Sequence, residues 1–488
     1  MDLRESAAGG FAVLASLKIA GTIVARLSAI ALALLLTPSD FGIFAIATFF
    51  VGLLILLADF GLGTELVRRP ASPPGTLETA FTIRLVLAVI IVALTPILGY
   101  AMGMAYQDMR LASLIPISSI PILLFVFTFP SRTLALHRLQ YGRASIPDHL
   151  GKMAAPILAI ALALLGLGYW SFPFSMIAGA TLAVVLALIA VPWRPVIRYD
   201  RRVAREVATL GKFIMITSLA RTIAGSVDTA YLGFFAGAEM TGFYAVASSW
   251  GIYMTSNLSS LLSGVTYPIF VQVQDAKERI ARGLQEVVRY YGYLATYLSA
   301  GVFILAEPFV VSILGPNWIP TIVPMRVLSV SGFLIGLATI GYDALTAVGM
   351  PKLVSRVSVT QTVFLVVILP PIISFQGLFG ASVVVTLGAA ISSLLSFRAV
   401  RSVFAIPLRP TFRQVFVSWS AAFLTWPFVY VAATVLGHGI FQFAILFFLY
   451  TLLYLGILHG ATGGAAVRDG IRVLRMVMRR GKGLDRRT

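Results

Sequence analysis

Apolar residues dominate the chain in runs of roughly 20, the length at which an α-helix spans the hydrocarbon core of a bilayer. The stretch 25–70 shows the arrangement, because two such runs meet there at a four-residue corner that begins with Thr37. Thr37 suits a helix N-cap, Pro38 the first helical position, and Asp40 the acid of a capping box. The pattern therefore predicts that one helix ends and the next begins at once.

Repetition of this pattern predicts fourteen membrane spans. They cover residues 9–36, 40–64, 78–102, 110–131, 147–168, 171–193, 209–235, 241–268, 287–313, 320–347, 354–374, 380–400, 414–436 and 440–461. The connectors alternate in charge. One set contains neither Lys nor Arg: 36–40, 103–108, 168–171, 236–240, 315–320, 375–380 and 436–439. The other set carries most of the 37 Lys and Arg residues. By the positive-inside rule, both termini are expected in the cytoplasm.

Composition agrees with a polytopic membrane protein. Hydrophobic residues make up 59% of the chain and charged residues 11%, where soluble domains carry about 25% charged residues. The positive-inside rule accounts for the net charge of +18, so we expect no nucleic-acid partner. The chain has no cysteine and four His, which argues against a disulfide, a thiol nucleophile or a metal site. We expect no cofactor, no catalytic residues and no built-in ATPase, since a Walker A motif is absent.

The longest interior loop, residues 193–209, divides the chain into two halves of six spans with two spans left over. The predicted divisions are 1–195 for an N-terminal lobe, 196–208 for a cytoplasmic linker, 209–404 for a C-terminal lobe, 405–465 for helices 13 and 14, and 466–488 for a cytoplasmic tail. Basic and apolar residues alternate along the tail with helical spacing, which predicts an amphipathic helix on the inner leaflet. A frayed polar tail is the alternative.

The two halves carry a matching segment at their first outer corner. Residues 34–47 align without gaps on residues 234–247. Three identities support the alignment: Gly42 with Gly242, Ala45 with Ala245, and Ala47 with Ala247. Six-span repeats of equal orientation imply two lobes around an axis along the membrane normal, as in many transporters.

Several cations lie inside predicted spans, where a lipid-facing charge costs about 3 kcal/mol on insertion scales. Arg26 and Arg221 lie deep in their spans, and Lys18, Arg84 and Arg326 lie at least one turn inside. These five are predicted to face a wet cavity that binds substrate, with interhelix salt bridges as the alternative. The remaining intramembrane cations lie near span ends and are expected to snorkel to the interface: Arg110, Lys152, Lys212 and Arg289.

The intramembrane acids are fewer than the cations, so the cavity should be positive and suited to an anionic cargo. Asp59, Asp228 and Asp343 are candidates for ion coupling, because a carboxylate in such a cavity can take up a proton or Na⁺. Arg221 and Asp228 are seven residues apart and share a helix face within about 20°. Each acid has the alternative role of a static partner for a nearby Arg.

Three segments resemble one known family. They are LLLTPSDFGIFAIA, the LLADFGLGTELVRRP that follows it, and AGSVDTAYLGFFAGAEMTGFYAVA. All three are similar to the bacterial polysaccharide-export flippases of Wzx type, within the multidrug/oligosaccharidyl-lipid/polysaccharide exporter superfamily. The resemblance implies an all-α, MATE-like, V-shaped transporter with a cationic lumen. Asp228 belongs to the family's pattern D…G…G.Y, here Asp228, Gly233, Gly242 and Tyr244.

The resemblance implies that the protein translocates a polyprenyl-pyrophosphate-linked oligosaccharide across the bacterial inner membrane by alternating access. Membrane lipid and the lipid-linked oligosaccharide would be the partners, with a polysaccharide polymerase and chain-length or export proteins as further candidates. Two alternatives stay open: a multidrug or cation antiporter of the same superfamily, and a membrane enzyme of glycan assembly. A positive cavity disfavours cationic drugs, and the short outer connectors disfavour an enzyme.

Overall fold

The computed structural model describes residues 3–59, 75–138, 140–405 and 407–464, together with Arg468. Inside these ranges the side chains of 3–15, 206–217, 220–221, 265 and 408–411 are not described. The described chain is helical and contains no strand. It holds 11 stretches that are long and apolar enough to cross a membrane.

The described part of the chain contains twelve α-helices. In chain order they are α1 (Leu3–Leu35), α2 (Pro38–Asp59), α3 (Thr76–Ala105), α4 (Arg110–His137), α5 (Tyr141–Leu164), α6 (Ser171–Ala190), α7 (Arg201–Gln272), α8 (Lys277–Phe309), α9 (Ile322–Ala347), α10 (Pro351–Phe404), α11 (Leu408–Leu436) and α12 (Ile440–Ala461). A π-helical turn, Val310–Leu314, extends α8, and 3₁₀ turns precede α6 and α9.

The two longest helices break at a glycine. In α7 the break is at Gly237 (φ 82°, ψ 178°), and in α10 it is at Gly377 (φ 53°, ψ −132°). A positive φ favours glycine because a side chain would clash with the backbone there. Each break falls inside a predicted outer connector, 236–240 or 375–380. The count of fourteen membrane spans stays a prediction.

The corner between α1 and α2 has the predicted capping box. The Thr37 amide and hydroxyl both donate to Asp40 Oδ2, at 2.9 and 2.8 Å. The Asp40 amide donates back to Thr37 Oγ1 at 3.3 Å. Pro38 occupies the first position of α2. Reciprocal capping satisfies amides that would otherwise lack a partner, so the chain reverses within a few residues.

The chain forms two compact units. Unit 1 contains Met1–Ala245 and Val366–Leu378, and unit 2 contains Val246–Leu365 and Phe379–Thr488. The lobe boundaries drawn from the sequence stay a prediction. The predicted amphipathic tail, 466–488, lies outside the described residues except for Arg468.

Helices of unit 1 approach closely where small residues face each other. A Cβ on Gly151 of α5 would lie 2.5 Å from the Gly179 carbonyl oxygen of α6. A Cβ on Gly179 would lie 2.6 Å from the Gly151 carbonyl oxygen. Only glycine permits this backbone contact, which is the usual way that helices associate tightly in lipid. It fixes the register of α5 against α6.

Aromatic residues fix the position of α12, the last helix of the described part of unit 2. Tyr450 and Tyr454 of α12 donate hydrogen bonds to backbone carbonyls of α8, those of Tyr297 at 2.6 Å and Tyr293 at 3.1 Å. The rings of Tyr297 and Tyr450 stack with centroids 5.4 Å apart. Both phenol groups thus find acceptors inside the protein, so α12 packs on α8 without leaving these two hydroxyls unsatisfied.

Candidate functional site

A cavity of about 770 Å³ lies within unit 1. It is lined by residues of α2, α3, α4, α5 and α6. Most of the lining is apolar, including Phe125, Phe129 and Met176. Among the described residues, the charged side chains of the wall are Asp59, Arg84, Arg132, Asp148 and Lys152. The cavity volume falls in the range of ligand pockets, roughly 300–1,000 Å³. Three cations against two acids give this described part of the wall a net positive charge.

Arg84 is the most enclosed of these cations. Its Nη2 lies 2.6 Å from Asp59 Oδ1, and the side chains are 12% and 32% exposed. Its guanidinium carbon lies 4.2 Å from the centroid of the Phe129 ring, within range of a cation–π contact. Its Nε is buried without a hydrogen-bond partner among the described residues. Arg84 therefore holds one carboxylate while retaining unused donor capacity.

A second, looser ion pair lies on the same wall. Arg132 Nη1 of α4 is 3.4 Å from Asp148 Oδ2 of α5. Lys152, one helical turn after Asp148, lies within 4.0 Å of no carboxylate in the described part of the chain. The wall thus combines two compensated Arg residues with one ammonium group that has no acidic partner there.

The structure brings together only part of the predicted substrate-binding set. Lys18 and Arg26 are half-buried residues of α1 and do not line this cavity. Arg326 of α9 lies in unit 2, where it donates to Glu307 Oε2 at 3.0 Å and to the Phe303 carbonyl at 3.2 Å. The side chain of Arg221 is not described. A substrate-binding role for these residues stays a prediction.

The three predicted coupling acids have different surroundings. Asp59 ends α2 on the cavity wall. Asp228 is buried in α7, where it accepts hydrogen bonds from the Tyr244 hydroxyl at 2.5 Å and the Thr229 amide at 2.8 Å. Asp343 is half-buried in α9, and its Oδ2 has no hydrogen-bond partner among the described residues. Ion coupling stays a prediction for all three.

The pattern D…G…G.Y has a structural explanation within unit 1. The hydrogen bond from Tyr244 to Asp228 ties together the two arms of α7 across the break at Gly237. A Cβ on Gly233 would lie 2.6 Å from Ile46 Cδ1, and one on Gly242 would meet the Pro38 carbonyl oxygen at 1.8 Å. The pattern therefore fixes the bend of α7 and its packing against the start of α2.

Sequence reasoning missed three charged residues of the cavity. Arg132 lies in the predicted basic connector between spans 110–131 and 147–168, Lys152 is one of the cations expected to snorkel, and no role is predicted for Asp148. The spacing of Asp148 and Lys152, four residues apart on one helix, is a weak indication that both face the same side. Whether they share a cavity with Arg84 depends on how the helices pack, and the spacing within one helix does not show this.

Comparison with known proteins supports both the helical fold described above and the resemblance to Wzx-type proteins. Over most of its length the chain is similar to the lipopolysaccharide biosynthesis protein WzxC of Escherichia coli (strain K12), with 20% identity over 442 residues and 88% of each chain covered. A structure of the lipid II flippase MurJ in an inward closed conformation matches with a TM-score of 0.75 and 13% identity, covering 92% of this chain and 98% of that one.

A second structure shows the breadth of this fold. An inward-facing multidrug resistance transporter of the MATE family matches with a TM-score of 0.60 and 14% identity, covering 80% of this chain and 98% of that one. Together with MurJ, it confirms the prediction of an all-α, MATE-like fold. At these identities the two structures establish the fold alone.

The sequence model of a family described as "Polysaccharide biosynthesis protein" matches residues 31–323. That range includes α2 to α8, all of the helices that line the cavity, and the segments 34–47 and 234–247. The resemblance to Wzx-type proteins is thereby confirmed, and the chain belongs to the polysaccharide biosynthesis protein family.

Proposed function

We propose that this protein translocates a polyprenyl-pyrophosphate-linked oligosaccharide from the inner to the outer leaflet of a bacterial inner membrane. The observation that carries the proposal is the cavity of unit 1, where Arg84, Arg132 and Lys152 outnumber Asp59 and Asp148. Membership of a polysaccharide biosynthesis family and the fold shared with a lipid II flippase support the same substrate class.

The chemistry of the wall suits an anionic headgroup. A pyrophosphate cannot enter a low-dielectric space unless its charge is compensated. Arg is suited to this task because its planar fork can engage two phosphate oxygens at once. The apolar part of the lining excludes water and strengthens such contacts. The polyprenyl chain would stay in the lipid while the sugars and pyrophosphate cross.

The transport cycle would be alternating access between a lobe of residues 1–195 and a lobe of residues 209–404, with both termini in the cytoplasm. Lipid-linked oligosaccharide and membrane lipid are the immediate partners. The protein acts as a transporter rather than an enzyme, so a polymerase and the chain-length or export proteins would act after it.

A multidrug antiporter is the second candidate, since a multidrug transporter shares the fold. The positive wall disfavours it, because a cationic drug would be repelled by the excess of cations. A deletion strain separates the candidates. The proposal expects loss of a surface polysaccharide and accumulation of its lipid-linked repeat unit on the inner leaflet. Unchanged polysaccharide together with increased drug sensitivity would contradict it.

A further inference from the structure

The ion pair of Arg84 and Asp59 occupies the position where an anionic cargo would be recognised. Both side chains line the cavity, and the two groups are 2.6 Å apart. Arg84 is nearly enclosed, whereas Asp59 is 32% exposed. The carboxylate is thus the accessible member of the pair, and an incoming anion would compete with it for the same guanidinium.

Arg84 is held in place by more than its carboxylate partner. The face of the Phe129 ring lies 4.2 Å from the guanidinium carbon, so part of the orientation would persist if the carboxylate moved away. The Nε group, buried and without a partner among the described residues, adds a donor that Asp59 does not use. A guanidinium has five N–H donors, so a pyrophosphate, with at least two non-bridging oxygens on each phosphorus, can satisfy more of them than one carboxylate oxygen does.

The charges of the wall indicate what kind of anion can displace Asp59. Asp59 and Asp148 already compensate two cations, and Lys152 is the cation without an acidic neighbour in the described chain. A singly charged ligand that separated Asp59 from Arg84 would replace the carboxylate by a group of equal charge. A monophosphate ester carries about −1.5 to −2 but presents its non-bridging oxygens on one phosphorus. A pyrophosphate presents them on two, so it can take the place of Asp59 and still offer oxygens to a second cation of the wall.

We propose that Asp59 is an internal counter-ion, displaced from Arg84 by the pyrophosphate of the cargo, and that it sets both the affinity of the site and its preference for pyrophosphate over monophosphate. The proposal rests on the proposed function. Asp59 is a positioning residue in this scheme, because it holds the Arg84 guanidinium in place until the cargo arrives.

A purely structural role, in which the ion pair only joins α2 to α3, predicts the opposite change in cargo affinity for Asp59→Asn. If Asp59 only fastened the helices, Asp59→Asn would disturb Arg84 and weaken binding of the cargo. If Asp59 competes with the cargo, Asp59→Asn removes the competitor and tightens binding. Arg84→Gln weakens binding in both cases, and the double variant then shows whether the gain at Asp59 needs Arg84.

The test uses the purified full chain in nanodiscs, with polyprenyl pyrophosphate, polyprenyl monophosphate and inorganic pyrophosphate as probes. We expect Asp59→Asn to bind polyprenyl pyrophosphate about tenfold tighter than wild type and to lose most of its preference over the monophosphate. Arg84→Gln and the double variant should both bind about tenfold more weakly than wild type. Inorganic pyrophosphate should displace the lipid from wild type and from Asp59→Asn.

Asp108→Asn is the matched control. Asp108 forms an ion pair with Arg110 that is also 2.6 Å long, and neither residue lines the cavity. This variant should bind like wild type. A change equal to that of Asp59→Asn would overturn the proposal, because loss of any ion pair would then have the same effect.

If Asp59→Asn folds poorly, its thermal stability still tests the proposal. Inorganic pyrophosphate, which would take the place of the missing carboxylate, should raise the melting temperature of Asp59→Asn by more than it raises that of the wild type. Equal shifts, or binding no tighter than wild type, would overturn the role of Asp59 and leave the proposed function standing. Failure of wild type to bind polyprenyl pyrophosphate at all would overturn both. Lack of competition by inorganic pyrophosphate would show that the headgroup is not what Arg84 recognises.

Discussion

Gly42 of α2 and Gly242 of α7 pack against each other's neighbouring backbone in a reciprocal way. A Cβ on Gly42 would lie 1.6 Å from the Ala238 carbonyl oxygen, and one on Gly242 would lie 1.8 Å from the Pro38 carbonyl oxygen. Pro38 and Ala238 each precede their glycine by four residues and align with each other in the repeat. The repeat found in the sequence thus coincides with a contact in the fold, inside unit 1.

The first prediction concerns this contact. Gly42→Ala and Gly242→Ala should each lower the free energy of unfolding by about 1–3 kcal/mol, because a methyl group cannot fit against a carbonyl oxygen without moving the backbone. Gly52→Ala in α2 and Gly225→Ala in α7 are matched controls, since a Cβ at either site meets no atom within 4 Å. Thermal unfolding in detergent checks the prediction. Equal stability of all four variants would contradict it.

A second prediction concerns the buried hydrogen bond between Tyr244 and Asp228. Tyr244→Phe leaves the carboxylate with one donor fewer, so it should lower the stability by about 1–3 kcal/mol while transport per folded molecule persists. Full thermal stability of Tyr244→Phe would show that the two arms of α7 do not depend on this bond.

A third prediction separates the coupling acids. Asp343 has an oxygen without a hydrogen-bond partner among the described residues, whereas Asp228 accepts two hydrogen bonds. Asp343→Asn should therefore keep normal abundance and lose stimulation of transport by a pH or Na⁺ gradient. Flipping of a fluorescent polyprenyl-pyrophosphate lipid in proteoliposomes, with and without the gradient, measures this. Undiminished stimulation would exclude Asp343 as the coupling group.

The fourth prediction tests the cavity by transport. Lys152→Gln should reduce polysaccharide export about tenfold at normal protein abundance, because one charge-assisted contact with the headgroup is lost. Lys352→Gln is the control, since Lys352 is an exposed residue at the start of α10 and is not among the residues that line the cavity. Wild-type export by Lys152→Gln would mean that this ammonium group does not contact the cargo.

A fifth prediction concerns the membrane topology. The chain has no cysteine, so single cysteines can be introduced and labelled without first removing native ones. Single cysteines at the exposed positions Glu239 and His438 should react with an impermeant maleimide in cells whose outer membrane has been permeabilised. A cysteine at the exposed Arg202 should react only after lysis. Labelling of Arg202→Cys without lysis would overturn the assignment of the basic connectors to the cytoplasm.

Features encoded locally could be predicted from the sequence. The capping box of Thr37 and Asp40 depends on residues three apart, and the breaks at Gly237 and Gly377 lie in short predicted connectors without Lys or Arg. The apolar run lengths predicted the helices because the bilayer sets a minimum length for a spanning helix. Such features can be predicted without knowing which helices are neighbours.

The cavity could be predicted only in part. The depth of Arg84 in its span indicated a watery or paired environment, because an isolated charge in lipid is costly. Its partner Asp59 and the neighbouring Arg132 and Lys152 come from other helices. Their meeting depends on interhelix registers such as the Gly151–Gly179 contact. Small and apolar residues occur on every face of these helices, so the sequence pattern does not show which face meets which.

The reciprocal contact of Gly42 and Gly242 has the same form as a contact across the interface of a twofold symmetric homodimer. In such a dimer, residue i of one subunit meets residue j of the other, and j meets i. Pro38 against Gly242 and Ala238 against Gly42 follow the same rule within a single chain. A side chain added at either glycine would therefore push against the helix that carries the other one.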